Sequence, residues 1–165
     1  MSALLRHSGA TVLIPLVLAF TFAAPVAPQE SPVGVWDVIE WFSESPEGER
    51  TYSKGSDPNG LFVYTPEGNL ILHSTTNPLL APQPTPTSTE DLALRATSTT
   101  AYYGTYTVDF EKSEVTHHIQ GNLSPNSAER SAVRPFRIED GDLILEWIST
   151  NGVRIYRRLR RLETF

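Results

Sequence analysis

From Ser31 onward, short apolar runs alternate with clusters of turn-forming residues. VGVWDVIEWF at 33–42 is a β-rich run, and the glycine- and acid-rich SESPEGER after it reads as a loop. LFVYT at 61–65 and LILHST at 70–75 flank PEGN, a tight hairpin connection, and YYGTYTVD at 102–109 and EVTHHIQ at 114–120 flank FEKS, a second one. AVRPFRIE at 132–139 meets DLILEWIS at 142–149 across Asp140-Gly141, which in turn meets VRIYRRLR at 153–160 across Asn151-Gly152. Asp-Gly and Asn-Gly supply the positive φ angles of two-residue hairpin turns, so these are the most specific local signals in the chain. Eight strands joined to their sequence neighbours predict an all-β protein: an antiparallel meander closed into an up-and-down barrel, which removes exposed sheet edges.

Residues 76–101, TNPLLAPQPTPTSTEDLALRATSTTA, break the spacing. The proline-rich first half cannot pair within a central strand and reads as surface chain. In the second half, Ser88 or Thr89 as a cap, Glu90 and Asp91 in the first turn and then LALRA predict a short helix across a barrel mouth or wall. Residues 1–30 have another character. Arg6 and His7 precede an apolar stretch from Ala10 to Phe22, followed by small residues and prolines. That is the order of a secretory signal peptide, so the reading is an exported domain over 31–165, with an uncleaved N-terminal membrane anchor as the alternative and no stable membrane span once the signal is removed. The apolar stretch is shorter than the roughly 20 residues of a comfortable spanning helix and contains Pro15.

Composition narrows the chemistry. A formal charge of −6 over 165 residues gives no footprint for nucleic acid, and the basic C-terminal run RIYRRLRR reads as a strand end with solvated charges. Cysteine is absent, which excludes disulfides, thiolate metal sites and a cysteine nucleophile. No G-x-S-x-G elbow is present, and the pattern implies no cofactor.

Gly34-Val35-Trp36 in the first strand, the meander that follows and an arginine in the last strand resemble a lipocalin. The order of G-x-W, GLFVYTPEGNL, YYGTYTVD, VTHHIQGNLSPN, Arg134, DGDLIL and a terminal YRRL is similar to the small lipocalin-like domain family over nearly all of residues 32–160. The resemblance implies a barrel whose lumen takes a small hydrophobic ligand. It also implies that Trp36 packs across the closed base against an arginine of the final strand, here Arg158, a structural role shared with Gly34.

With Trp36 inward, period-two alternation puts Val38, Glu40 and Phe42 on the lumen side. Glu40 is then either hydrated near the mouth or paired with Arg134 or a histidine as a ligand anchor or general base. Tyr64 and Tyr106 match aromatic positions of the family pattern and would either offer hydroxyls to a ligand or fill the core. Arg134 could hold a ligand carboxylate in a bidentate pair or lie on the surface. His117 and His118 point to opposite faces of a strand and cannot easily share an ion, so no metal site is read from them. Val115 and Ile119 share a face with His117, which is therefore the inward histidine and the best catalytic candidate, with Glu40; a core histidine bonded to a tyrosine or to Glu40 is the plainer reading. Two functions remain open: an exported binder of a small hydrophobic molecule, and a cofactor-independent isomerase, cyclase or dehydratase acting in the same lumen.

Overall fold

The computed structural model describes residues 30–80, 88–124 and 130–165. The N-terminal segment that reads as a signal peptide and the middle of the proline-rich insertion lie outside the described residues. Among the described residues nine strands form: β1 Gly34–Glu44, β2 Arg50–Thr51, β3 Asn59–Tyr64, β4 Asn69–Thr75, β5 Thr99–Asp109, β6 Glu114–Asn122, β7 Ser131–Glu139, β8 Asp142–Ile148 and β9 Arg154–Glu163. Every pairing is antiparallel. Running from β1 through β3 to β9, each strand pairs with the next, and β9 returns to β1, closing an eight-stranded barrel. The ninth strand, β2, lies outside it as a short flap on the end of β1. The sequence pattern predicts only a loop there.

Short turns set the meander. Asp140-Gly141 has positive φ at both residues, 53° and 83°, the primed turn that its sequence demands. Asn151-Gly152 behaves differently, because only Gly152 is left-handed. Gly152 N donates to Ser149 O and Ser149 N to Val153 O, a turn closed by a glycine in the left-handed position. The same hydrogen-bond pattern recurs at Thr65–Asn69 and Ser45–Glu49, each with its left-handed glycine, Gly68 and Gly48. One turn chemistry is thus used three times, and it makes a tight corner of the expected 43–50 loop.

Three register slips interrupt the pairings, the first between Val35 and Trp36 where β1 meets β9. Between Val38 and Glu40 the β1–β9 register slips, leaving Ile39 as the extra residue of a bulge. Trp36 and Val38 point inward before the bulge, and Trp41 does so after it, opposite Arg157. Phe42 is therefore turned to the outer wall, where it stacks on Tyr156 and packs with Ile144. Glu40 follows the same shift. It sits opposite Arg158 and is absent from the lumen, contrary to strict alternation. The third slip, between Tyr103 and Gly104, leaves Gln120 as the extra residue on β6.

The core fills the lumen's closed half with Trp36, Val38, Tyr64, Leu70, Leu143 and Leu159, all nearly inaccessible to solvent. Fully burying each such aliphatic side chain is worth roughly 1.5–3 kcal/mol. Helix α1, Thr89–Ser98, starts as its sequence dictates: the Ser88 hydroxyl accepts from Asp91 N at 3.1 Å. The helix buries no residue of its own. Its C-terminal end is held instead by Lys54, whose Nζ donates to Thr97 O at 3.2 Å and Ser98 O at 2.9 Å. Among the described residues, no helix is long and apolar enough to cross a membrane.

Candidate ligand-binding site

The lumen has a sealed end, a polar middle and an open end. At the sealed end Trp36 Nε1 donates to Pro32 O at 2.7 Å, and the guanidinium of Arg161 lies 3.9 Å from the Trp36 ring centroid. Arg161 also donates to Val33 O at 2.8 Å. Gly34 makes room for this: its φ is +146°, and a Cβ there would come within 2.7 Å of both Arg161 Nη1 and Glu163 O. The partner of Trp36 is thus Arg161, not Arg158. Ile155, Arg157, Leu159 and Arg161 share the inner face of β9, whereas Arg158 points outward and pairs with Asp142 at 2.7 Å.

In the middle of the barrel stands His117, fully buried and bonded on both ring nitrogens. Tyr64 Oη lies 2.8 Å from Nε2, and Tyr102 Oη lies 2.8 Å from Nδ1. Tyr64 is itself sealed from solvent, with Nε2 as its hydroxyl's partner, so that hydroxyl donates to Nε2. Nδ1 then carries the imidazole proton and donates to the Tyr102 oxygen. Burial, reinforced by the charges of Arg134 and His118, lowers the His117 pKa from 6.5 to about 3, so the ring is neutral across the physiological range. Burial likewise raises the Tyr64 pKa well above the usual phenol value. His118 faces outward and meets Thr107 Oγ1 at 3.1 Å.

Above His117 the barrel opens into a cavity of about 260 Å³. Phe62, Leu72, Ile119 and Leu145 supply apolar wall, and Tyr102 and His117 supply polar floor. Two indoles, Trp41 and Trp147, flank it, each carrying an arginine on its face. Arg157 lies 3.6 Å from the Trp41 centroid and Arg134 lies 4.2 Å from that of Trp147. Arg157 Nη1 donates to Phe42 O at 2.8 Å and Tyr156 O at 2.6 Å, fixing the guanidinium in place. Burial first, then repulsion from Arg134, lowers its pKa to about 9, and the group is still cationic at neutral pH. Lys54 Nζ sits 6.0 Å from the Trp41 centroid, its pKa lowered by burial and by Arg157. Among the described residues lining the cavity there is no carboxylate.

Of the residues singled out in the sequence, His117 and Arg134 line this cavity, and Tyr64 stands behind His117 as its hydrogen-bond donor. Tyr106 does not line it. Its hydroxyl donates to Thr65 O at 2.7 Å, and its ring packs edge-on against Tyr64, which makes it a core residue. Glu40 is outside, near Tyr156, whose pKa is raised by burial first and then by the charge of Glu40. Sequence reasoning missed Trp41, Tyr102, Trp147 and Arg157. Tyr102 was within reach, since it shares the period-two face of Tyr106, whereas Trp41 was hidden by the bulge.

A closed eight-stranded antiparallel meander with a polar-floored cavity at its open end defines an up-and-down β-barrel. A family model described as a lipocalin-like domain matches residues 33–159, and the chain belongs to that family. Among curated proteins, none matches it.

Proposed function

We propose that the open half of the lumen binds one small, mainly apolar molecule in an exported protein. The observation that carries this reading is the cavity of about 260 Å³ above His117, walled by Phe62, Leu72, Ile119 and Leu145 and left unfilled by the side chains that pack the rest of the lumen. Its size suits a compact ligand, just under the range of about 300–1,000 Å³ usual for drug-sized molecules. Tyr102 and His117 at its floor offer polar contacts that would orient such a molecule. An enzymatic role for His117 is less well supported. A general base works best with a pKa near the working pH, and this imidazole, at about 3, is a poor proton acceptor at neutral pH.

Export is supported by the cationic, apolar and small-residue order of the first thirty residues. N-terminal sequencing of protein recovered from the culture medium tests it; a chain still starting at Met1 and retained with the cells would overturn it. Binding is tested by calorimetric titration with octan-1-ol, a neutral amphiphile of suitable size, on the native protein and on Thr100→Phe, which places a ring in the cavity wall. Saturable single-site binding lost in Thr100→Phe is the expected result. No binding to the native protein, or equal binding to both, would defeat the reading.

A further inference from the structure

We infer that the lumen selects anions, and that its ligand is a small amphiphile carrying a carboxylate held by Arg157 next to Arg134. The inference rests on the lumen-binding reading and sharpens it from an apolar molecule to an acid with an apolar body. The chain as a whole is acidic, with a formal charge of −6, so cations inside the barrel do not follow from general composition. Yet Arg134 and Arg157 both line the cavity, Lys54 approaches the same indole as Arg157, and no described lining residue is a carboxylate.

Arg157 is the informative member of the three. Its Nη1 is committed to the carbonyls of Phe42 and Tyr156, which fix the plane of the guanidinium, and Trp41 covers one face of that plane. Nε and Nη2 have no acceptor among the described residues, and these two atoms form the edge that a carboxylate engages in a side-on, two-point pair. A desolvated cation without a counter-charge is costly to keep. An anion arriving in the cavity would relieve that cost, whereas a neutral ligand of the same shape would not. The apolar wall of Phe62, Leu72 and Leu145 then receives the apolar body.

The experiment compares octanoate, octan-1-ol and octylamine by calorimetry at neutral pH, on the native protein and on Arg157→Met, which keeps an unbranched side chain and removes the charge. Octanoate is expected to bind about tenfold or more tighter than octan-1-ol, the scale of a charge-assisted hydrogen-bonded pair, with octylamine weakest. In Arg157→Met the octanoate-to-octanol ratio falls to near one. Arg157→Lys, which retains the charge without the fork, keeps part of the preference and serves as the second variant if Arg157→Met does not fold. Equal binding of octanoate and octan-1-ol to the native protein overturns the anion inference while leaving the lumen reading intact. A preference for octanoate that survives in Arg157→Met overturns the role given to Arg157. If none of the three binds, the lumen reading itself fails.

Discussion

Replacing His117 by leucine tests whether the buried Tyr64–His117–Tyr102 chain is held together as the geometry indicates. The substitution leaves the Tyr64 hydroxyl sealed in the core without an acceptor, a penalty of about 1–3 kcal/mol, and loses the Tyr102 bond, worth about 1 kcal/mol. His117→Leu is therefore expected to cost about 2–4 kcal/mol at pH 7. Removing both partners is gentler than removing one, so adding Tyr64→Phe to His117→Leu recovers much of that loss. The cost also depends on pH. Because burial depresses the folded pKa of His117 from 6.5 to about 3, the unfolded chain binds a proton in this window that the folded chain refuses. Stability from this group is thus complete above pH 6.5 and is lost as pH falls toward 3. Between pH 6.5 and 4.5 the loss is about 2 kcal/mol by linkage. The leucine variant lacks this term, so its deficit relative to the native protein shrinks toward zero on acidification. Urea unfolding followed by tryptophan fluorescence at pH 7 and pH 4.5 measures all four comparisons. A deficit that stays constant with pH, or a double variant no more stable than His117→Leu, would refute the reasoning.

Gly34→Ala is expected to destabilise the barrel by about 2 kcal/mol or more, through the strained φ and the collision with Arg161 and Glu163, and thermal unfolding checks it. Arg161→Met removes the cation from the face of Trp36 and is expected to cost about 1–2 kcal/mol. Arg158→Met, which breaks only the outer pair with Asp142, should cost less; the reverse order in urea melts would restore Arg158 as the base partner. Glu40→Gln is expected to leave octan-1-ol affinity unchanged in calorimetric titration, because Glu40 stands outside the lumen.

Local chemistry was readable in the chain and long-range phase was not. Asp140-Gly141 and the Ser88 cap dictate their own conformations through their own backbones, so the turn and the helix start could be located from neighbouring residues alone. His117 was placed inward correctly because Val115 and Ile119 bracket it on a strand that runs straight through that stretch. Glu40 was misplaced for the opposite reason: the bulge at Ile39 is fixed by how β1 meets β9, more than a hundred residues away, and nothing in VGVWDVIEWF announces it. Arg158 was a milder error. Ile155 and Leu159 mark the inner face of β9, and following them would have selected Arg157 and Arg161. Lys54 lay in a stretch with no periodicity at all, and its importance appears only once the end of α1 is seen to dock on it.

The chain's three tryptophans permit a direct test of where a ligand goes. Trp41 and Trp147 flank the cavity, whereas Trp36 is locked at the sealed end with its indole N–H on Pro32 O. In a nitrogen–proton correlation spectrum, adding octan-1-ol is expected to shift the indole signals of Trp41 and Trp147 in a saturable way and to leave that of Trp36 in place. If all three signals stay still through the titration, or if only Trp36 moves, the open half of this barrel is not a binding site.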